Sequence, residues 1–438
     1  MVGVVRPPGV APAGARPAPR WQDVAGRARP VHRVRHECRA CGAPTLKRFL
    51  SLGEQPLANA FLRGPEDVAS EPRFPLDVYC CTTCALVQLA DVIDPEVLFA
   101  EYIYLTGTST TIAAHNRQYA ASVVRELALT PDDLVVEVAS NDGSLLRCFR
   151  DLGVRVLGVE PARNIAAEAA RQGIPTEVRF FDAGAGAAVR ASHGRARAVI
   201  GNNVLAHVDD TAGFLRGCAD LIDADGGVVV EVPYAREMLQ GTEYDTVYHE
   251  HLCYFSVTAL ARLAERVGLG IRRVDEVPVH GGSIRVWFGK GIAHAEQPRA
   301  MMREETENGV STLAAWEAFA ERTAENRRAL RQLLEELRAA GKTVAGYGAP
   351  AKGNTLLNYC QVDTGLVPFT VDRNPLKVGT LTPGMHLPVR PVEALREEPV
   401  DYVLILAWNF ADEIMTQLQF HRERGGRFIV PIPMPRIV

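Results

Sequence analysis

The chain has 438 residues, a hydrophobic content of 47%, a charged content of 23% and a formal net charge of −4. This length exceeds the ~250–300 residues at which one hydrophobic core stops growing, so we expect two or three domains. No apolar run approaches the ~20 residues of a membrane span, which argues against an integral membrane protein. The weakly acidic balance provides no basic field for nucleic acid, and the composition therefore favours small-molecule partners.

A disordered tail is predicted for residues 1–35. This stretch contains six prolines and seven arginines, with Asp23 as the one acid, and it lacks the apolar core of a secretory signal. Since no export signal is recognised, the cytoplasm is the expected location.

Four cysteines in two Cys-x-x-Cys pairs, about forty residues apart, follow in the range 36–95. This pattern is typical of a closed tetrahedral zinc site, which has no open position for water and hence a structural role. A redox-active pair or a disulfide is the alternative, and each fits a double pair less well. Cys80 is expected to be a neighbour that does not bind the metal. The predicted ligands of this zinc-binding domain are Cys38, Cys41, Cys81 and Cys84.

Apolar strand segments alternate with helix-compatible sequence from residue 96 to residue 295. Alternation of this kind predicts a parallel sheet covered by helices on both faces. The predicted strands are 134–138, 154–159, 198–200 and 228–232.

The remaining residues, 296–438, predict a second α/β domain. A charged, helix-prone stretch reaches residue 340, and a new strand–turn–helix pattern opens at Thr343. Further strands are predicted at 368–371, 402–406 and 428–430.

The segment 134–146 predicts a strand, a turn of small residues and the start of a helix. Ala139 and Asn141 stand where a dinucleotide-binding turn has its first glycines, so the spacing fits S-adenosylmethionine better. About twenty residues on, a strand ends at Glu160, whose carboxylate could accept from both ribose hydroxyls. An acid at a strand end also occurs in α/β domains without a ligand. Here it occurs together with Glu137 and Gly143, which favours a cofactor site. The predicted cofactor residues of these segments are Glu137, Ser140, Asn141, Gly143, Glu160 and Pro161.

Three residues after later strands extend the predicted cofactor site. Asp182 could accept from the adenine amine and Asn203 could contact the methionine part, with Asn202 beside it as a further cofactor residue. Helix capping and turn formation are the alternatives for Asn202 and Asn203.

A segment near residue 250 is dense in groups that transfer protons. It does not match a zinc-protease motif, because Cys253 stands where the second histidine would be. A catalytic metal on His249 and His251 remains an alternative, as does a merely structural polar interface. General-base catalysis is favoured, with His251 as the base, Glu250 orienting its ring and Tyr248 as a hydrogen-bond donor.

Taken together, these motifs resemble the S-adenosylmethionine-dependent sugar C-methyltransferases of deoxysugar biosynthesis, which modify nucleotide-linked 4-keto-6-deoxyhexoses. The resemblance covers nearly everything after the tail. It rests on the paired Cys-x-x-Cys turns and on EYIYLTGTS at 101–109, VEVASNDG at 136–143, NNVLAHV at 202–208, EVPY at 231–234, YHEH at 248–251 and GYGAPAKGN at 346–354.

The resemblance implies an α/β chain of three domains: a zinc-binding module, a class I methyltransferase domain and a Rossmann-like C-terminal domain that closes over the substrate. It also implies that His251 removes a hydrogen made acidic by the C-4 ketone, with Tyr248 and Glu250 as partners. Tyr102 or Tyr104 would reach into the same site. A thymidine diphosphate sugar is the typical substrate of this family.

Substrate contacts are expected at several further positions. Arg285 could pair with a diphosphate, its alternative being an exposed strand arginine. The turn around Lys352 suits phosphate, its alternative being a vestigial cofactor loop. Asp372 and Asn374 are expected only to form a turn. The predicted substrate-binding residues are His280, Arg285, Tyr347, Lys352 and Asn354.

Two other functions compete with C-methylation: O- or N-methylation of a nucleotide sugar, and a non-catalytic zinc- and nucleotide-binding scaffold. The choice between C-3 and C-5 of the sugar and the oligomeric state are left open by the sequence.

Overall fold

The computed structural model describes residues 30–99, 110–278 and 281–438. Its N-terminal module is built mainly from antiparallel strands. Strand β1 lies inside the predicted tail and pairs with β5, so ordered structure begins before residue 36. The elements of the module are β1 His32–Val34, β2 Leu46–Pro56, α1 Pro65–Ala69, β3 Arg73–Cys81, β4 Val87–Leu89, β5 Asp91–Ile93 and α2 Pro95–Phe99.

A seven-stranded sheet with helices forms the middle domain. Its strand order is β12-β13-β10-β9-β6-β7-β8. The elements are α3 Thr110–Glu126, β6 Leu134–Val138, α4 Ser144–Asp151, β7 Arg155–Val159, α5 Arg163–Arg171, β8 Thr176–Glu177, α6 Ala183–His193, β9 Ala196–Asn202, α7 Thr211–Leu221, β10 Ile222–Pro233, α8 Ala235–Gly241, β11 Cys253–Tyr254, α9 Val257–Glu265, β12 Leu269–Val277 and β13 Ser283–Lys290.

The apolar composition of the central strands explains why they lie in the interior of this sheet. All five residues of β6 are buried, as expected for a parallel strand covered on both faces. The sheet is nevertheless mixed, because β13 runs antiparallel to β10 and β12 antiparallel to β13. The predicted parallel pairing holds for β10, β9, β6, β7 and β8, and at this edge a hairpin replaces the strand–helix alternation.

Two helices follow, α10 Glu296–Glu307 and α11 Leu313–Ala339. Both pack on the middle domain. The buried carboxylate of Glu305 accepts from the Tyr234 hydroxyl at 2.8 Å, and the Asn326 amide oxygen accepts from the Tyr244 hydroxyl at 2.7 Å. The helices predicted to open the C-terminal domain therefore also contact the middle domain, while the Asn326 amide donates to the carbonyls of Pro431 and Pro433 in the C-terminal domain.

A six-stranded sheet of order β16-β15-β14-β17-β18-β19 forms the C-terminal domain. Only β19 is antiparallel to its neighbour. The elements are β14 Val344–Tyr347, α12 Ala351–Cys360, β15 Thr370–Val371, β16 Val389–Arg390, α13 Ala394–Glu397, β17 Tyr402–Ile405, α14 Ala411–Gln417, α15 Gln419–Glu423, β18 Arg427–Val430 and β19 Arg436–Ile437.

All three parts of the chain meet at one junction. Strand β11 of the middle domain pairs with β4 of the N-terminal module. Helix α12 contacts both, since the Asn354 amide donates to the Ala58 carbonyl and the Thr355 hydroxyl donates to the Val247 carbonyl. Within the described ranges, no helix combines the length and the apolar character that crossing a bilayer requires.

Candidate active site

The four predicted zinc ligands lie together in the N-terminal module. Their Sγ atoms are all within 4.8 Å of one another. The sulfurs of Cys38 and Cys84 are 3.4 Å apart and those of Cys41 and Cys81 are 3.6 Å apart. These separations are close to the ~3.8 Å edge of a tetrahedron with a Zn–S distance of ~2.3 Å. Four thiols in this arrangement fit a zinc ion and leave no position for water, so the zinc is structural.

The backbone of the two turns explains why the thiols converge. Gly42 and Ala85, which follow the second cysteine of each pair, are left-handed, with φ of 78° and 61°. Each donates its N–H to the carbonyl of the first cysteine at 2.8 Å. Cys80 lies outside the sulfur cluster, and burial raises the pKa of its thiol to about 12.

In the turn after β6, every second residue has a left-handed backbone conformation. Ala139, Asn141 and Gly143 have φ of 56°, 48° and 73°. A Cβ on Gly143 would lie 2.9 Å from Cγ1 of Ile174, so a side chain would collide there. A turn of this kind permits a ligand to approach the main chain at the start of α4.

Glu160 follows β7 and is held by two backbone amides. Its Oε2 accepts from the N–H of Asn141 at 2.9 Å, and its Oε1 accepts from the N–H of Ala162, beyond Pro161, at 2.8 Å. Burial raises the pKa of Glu160, and these two amides lower it. The carboxylate is fixed at the carboxyl edge of the sheet, and its remaining lone pairs can accept from ribose hydroxyls.

Three buried polar atoms at this edge have no hydrogen-bond partner among the described residues. They are Oε2 of Glu137, Oγ of Ser140 and Oδ1 of Asn202. Burial, together with the nearby Asp142 and Glu160, raises the pKa of Glu137 well above its usual range. Buried polar atoms rarely go without a partner, so these residues fit a polar ligand such as S-adenosylmethionine.

Asp182 caps a helix, and Asn203 makes a contact that matches its alternative as a turn residue. The Asp182 carboxylate caps α6 by accepting from the N–H of Ala185 at 2.8 Å. Asn203 is left-handed, and its main-chain N–H donates to the Glu231 carbonyl at 2.8 Å. A role of either side chain in cofactor binding stays a prediction.

His251 is held by two contacts that define its proton positions. Its Nδ1 lies 2.9 Å from the Thr246 carbonyl, and its Nε2 lies 2.6 Å from the Tyr248 hydroxyl. A carbonyl only accepts, so Nδ1 carries the proton in the neutral ring. Nε2 therefore carries the lone pair, which accepts from Tyr248, and an unprotonated nitrogen is the form that a general base requires.

Glu250 is buried and points toward the N-terminal module, because its Oε1 accepts from the Asn59 amide at 2.7 Å. The carbonyl of Thr246 holds the histidine ring at Nδ1. Neither Asn59 nor Thr246 is predictable from the sequence motifs, since one lies 191 residues away and the other acts through its backbone.

His249 faces away from His251. Its Nε2 donates to the Pro75 carbonyl at 3.2 Å, its ring packs edge-on against Phe74, and burial lowers its pKa to about 4. Among the described residues, the four cysteines form the only cluster of potential metal ligands. This arrangement does not support a catalytic metal on the two histidines.

His207 is a site residue that the sequence reasoning missed, although it lies in the quoted NNVLAHV motif. Its ring centre is 4.8 Å from that of His251. Burial lowers the pKa of His207 to about 4, so the ring is neutral at neutral pH. The signal available in the sequence was its position just after a strand that ends at the cofactor edge.

A small cavity, of about 20 Å³, lies beside His251 at the carboxyl end of β10. Glu243 also lines it, and burial raises the pKa of this carboxyl group to about 8. Lys352 of the C-terminal domain acts in the opposite direction. The other lining residues are Ala206, Pro233, Tyr234, Ala235, Met238, Thr246, Cys253, Tyr254 and Gly282.

Arg285 lies in the middle of a buried cluster. Its guanidinium donates twice to Oε2 of Glu231, at 2.9 and 3.1 Å, and lies 3.9 Å over the ring centre of Tyr119. His115 contacts the same carboxylate at 3.0 Å. A diphosphate would have to displace Glu231 from the guanidinium of Arg285. The assignment of Arg285 to the substrate stays a prediction.

The remaining predicted substrate residues are spread over the C-terminal domain. The Tyr347 hydroxyl donates to Gln417, and the Asn354 amide donates to Ala58. The ammonium of Lys352 lies 4.6 Å over the Trp408 ring and has no hydrogen-bond partner among the described residues. Three predicted residues, Tyr102, Tyr104 and His280, lie outside the described residues.

Family models match most of the chain. A C-methyltransferase C-terminal domain matches residues 278–433, a methyltransferase domain matches residues 112–274, and a zinc binding domain matches residues 38–99. The C-methyltransferase NovU of Streptomyces niveus is 41% identical over 405 residues, which are 92% of this chain and 96% of that protein.

Solved structures match the chain in part. The magnesium protoporphyrin IX methyltransferase of Synechocystis PCC 6803, with bound S-adenosylmethionine, aligns with 43% of this chain and 88% of its own, at 16% identity and a TM-score of 0.32. The CcbJ methyltransferase of Streptomyces caelestis aligns with 41% of this chain and 90% of its own, at 15% identity and a TM-score of 0.32.

Each of the three parts of the chain thus corresponds to one family model: the thiol cluster to the zinc binding domain, the middle domain to the methyltransferase domain, and the last part to the C-methyltransferase C-terminal domain. They occur in one chain that is related to a curated C-methyltransferase over nearly its whole length. The chain belongs to the family of S-adenosylmethionine-dependent C-methyltransferases that carry a zinc-binding domain.

Proposed function

We propose that the enzyme methylates a carbon next to the C-4 ketone, C-3 or C-5, of a nucleotide-linked 4-keto-6-deoxyhexose in deoxysugar biosynthesis for a natural product. The nucleotide is thymidine diphosphate. One observation carries the proposal: His251 presents a basic Nε2 beside a cavity at the carboxyl edge of the cofactor domain. A base in this position suits a carbon acid, which must lose its proton before it can form a bond to carbon.

His251 acts as the general base. The C-4 ketone acidifies the hydrogen on the neighbouring carbon, and Nε2 removes it while Thr246 keeps the proton on Nδ1. The carbonyl of Thr246 then stabilises the imidazolium by accepting a stronger, charge-assisted hydrogen bond. His207 is neutral and adds no second positive charge beside this imidazolium.

Tyr248 changes its role when the proton moves. In the resting state its hydroxyl donates to Nε2 of His251 at 2.6 Å. Nε2 has one lone pair in the plane of the ring, so this hydrogen bond must open before the nitrogen takes the proton from carbon. The tyrosine hydrogen can then turn to the oxygen of the substrate enolate and stabilise the charge that develops there.

Bound S-adenosylmethionine supplies an electrophilic methyl group for the carbon that has lost its proton. The chain holds the two reactants in register: Glu160, Glu137 and the turn after β6 hold the cofactor, while the three-domain junction holds the sugar. Positioning of this kind accounts for a large part of enzymatic acceleration.

The test is a turnover assay with methyl-labelled S-adenosylmethionine and a panel of nucleotide 4-ketosugars, with the new methyl group located by NMR. We expect transfer to a carbon next to the ketone. In deuterated water with S-adenosylhomocysteine in place of the methyl donor, the hydrogen on that carbon should exchange. Transfer to an oxygen or a nitrogen, without such exchange, would contradict the proposal.

A further inference from the structure

The N-terminal module reaches the three-domain junction through a tight turn after β2. The N–H of Ala60 donates to the carbonyl of Leu57 at 3.0 Å, so Ala58 and Asn59 occupy the central positions of a β-turn. Leu57 and Ala58 are buried. Packing therefore helps to fix residues 57–60, which we call the junction turn.

The C-terminal domain also holds the main chain of this segment. The carbonyl of Ala58 accepts from the Asn354 amide at 2.7 Å. Just beyond the turn, Leu62 and Leu381 exchange two hydrogen bonds, with the N–H of each donating to the carbonyl of the other at 3.0 and 2.7 Å. Because the backbone is already ordered, the side chain of Asn59 makes its own contact at a reduced cost in conformational entropy.

The side chain of Asn59 contacts an acid of the middle domain. Its Nδ2 donates to Oε1 of Glu250 at 2.7 Å, and this is the one hydrogen bond that the side chain makes within the part of the chain that the structure describes. Glu250 is buried. A hydrogen bond to a carboxylate is shorter and about twice as strong as one between neutral groups. Since the amide is itself neutral, Asn59 binds the carboxylate without cancelling its charge.

Glu250 lies in the segment 248–251 that carries the base, and two further groups contact it. The ring of His207 interacts with its main-chain carbonyl. The ammonium of Lys377, from the C-terminal domain, attracts its side chain electrostatically. A nearby cation and a neutral donor both favour the ionised carboxylate. Glu250 is therefore a fixed negative charge one residue from His251.

We propose that Asn59 is a positioning residue of the methyl transfer: it holds the carboxylate of Glu250 and, through it, the segment that carries His251. This inference rests on the proposed function, because it takes His251 as the base. When Nε2 removes the proton from carbon, a carboxylate held nearby stabilises the imidazolium that forms. Asn59 acts on the reaction through Glu250. The zinc-binding module thereby contributes a side chain to the organisation of the active site.

Two nearly isosteric substitutions of Asn59 test this role in the full-length zinc-loaded enzyme, and the first, Asn59→Leu, removes the donor. We expect kcat to fall about 10–100-fold, with KM and the calorimetric affinities for S-adenosylhomocysteine and thymidine diphosphate within about threefold of wild type. The matched control is Asn308→Leu, at an exposed position just after α10. It should leave all of these quantities unchanged.

The second substitution, Asn59→Asp, gives a readout that a merely structural role would not produce. It places two carboxyl groups within hydrogen-bond distance, so one of them binds its proton far more tightly than usual. While this proton is bound, the new acid can donate to Glu250 as the amide does. Once the proton leaves, two negative charges face each other. We therefore expect the ratio of variant kcat to wild-type kcat to fall roughly tenfold or more between about pH 6 and pH 9. The ratio for Asn308→Asp should not change with pH.

Wild-type kcat in both Asn59 variants would overturn the proposal. So would a loss of kcat in Asn59→Leu with equal losses of both ligand affinities and a lower Tm, since Asn59 would then only stabilise the fold. A pH-independent ratio in Asn59→Asp would exclude Glu250 as the partner through which Asn59 acts. If the wild-type enzyme transfers the methyl group to an oxygen or a nitrogen, the proposed function fails instead, and the same ratios measured with that acceptor decide on Asn59.

Discussion

The middle and C-terminal domains hold an acid in the same backbone frame, Glu160 in one and Asp372 in the other. In both, one carboxylate oxygen accepts from an amide of the turn after the first strand, and the other accepts from the amide two residues beyond the acid. The N–H of each acid donates to the last carbonyl of the third strand. The two sites differ in their surroundings. Near Glu160, three buried polar atoms have no partner among the described residues. Near Asp372, the Tyr347 hydroxyl is satisfied by Gln417, and an exposed arginine lines an open cavity.

This difference shows that the same backbone frame can carry different side-chain surroundings. Buried unsatisfied groups suit a ligand that is enclosed and read by several hydrogen bonds. An open cavity lined by an exposed arginine suits an anionic ligand. Variants that change one domain alone, and variants that change both, test this difference.

The zinc site should affect both domains, and we expect it to give the largest effect. Cys81→Ser removes one thiolate of a closed shell, and structural zinc contributes ~10 kcal/mol or more in small zinc modules. The N-terminal module contacts the middle domain through β11 and the C-terminal domain through Asn354. We therefore expect loss of zinc, a Tm lower by roughly 10 °C or more, and loss of both ligand affinities.

Zinc content by mass spectrometry and Tm by calorimetry provide the measurements. Cys80→Ala is the matched control, because Cys80 is an adjacent buried thiol outside the cluster. It should keep a full complement of zinc. A Cys81→Ser protein with normal zinc and normal Tm would refute the four-thiolate site.

His251→Asn should abolish the chemistry while leaving both binding sites intact. Loss of a general base lowers kcat by ~10²–10⁴-fold, and asparagine can still donate to the Thr246 carbonyl. We expect affinities for S-adenosylhomocysteine and thymidine diphosphate within about twofold of wild type, because the proposed role of this ring is proton transfer and not ligand binding. Labelled-methyl transfer and calorimetry measure the two effects separately.

His193→Asn, a half-exposed histidine at the end of α6, controls for the loss of an imidazole elsewhere. It should retain wild-type turnover. If His251→Asn also retained it, the base would have to be another group.

Local signals made part of this architecture predictable. The zinc ligands follow from two short spacings, and the strand at 134–138 follows from five consecutive residues that are all buried. Glu160 was predictable because strand ends meet at one edge of a parallel sheet. Each of these features depends on residues that are close in sequence.

The other features of the site depend on contacts between residues far apart in the chain or on main-chain groups. Neither produces a recognisable spacing of residues in the sequence. His207 and His251 are 44 residues apart, and Asn59 reaches Glu250 across 191 residues. The frame around Asp372 consists of main-chain amides and carbonyls, which almost any residue supplies, so the repeat is invisible in the side chains. For the same reason, the sequence indicated only a turn at Asp372 and Asn374.

Glu160→Gln should change ligand binding in the middle domain and leave ligand binding in the C-terminal domain unchanged. The amide retains the shape but loses a charged acceptor, which is worth ~1.5–3 kcal/mol in a hydrogen bond. We expect S-adenosylhomocysteine affinity to fall about 10–100-fold and thymidine diphosphate affinity to stay unchanged. Calorimetry with each ligand provides the readout, and Glu168→Gln on α5 is the control, since Glu168 pairs with Arg171 on the helix surface. A parallel loss of both affinities would mean that Glu160 acts through the fold and not through the cofactor.

Glu243 lies between the two domains and should give the smallest effect, visible as a pH dependence of stability. Burial raises the pKa of Glu243 to about 8 in the folded protein, against an ordinary value of 4.5. A carboxyl group with a raised pKa binds its proton more tightly when folded, so its protonated form stabilises the fold at low pH. That contribution declines as the pH rises from about 4.5 to about 8. In Glu243→Gln the side chain cannot ionise, so the variant should gain a few degrees in Tm relative to wild type between pH 6 and pH 9.

Glu325→Gln, at an exposed position of α11, should show no such trend. A Tm difference that does not change with pH would mean that Lys352 keeps Glu243 ionised and that the two domains are joined there by a salt bridge.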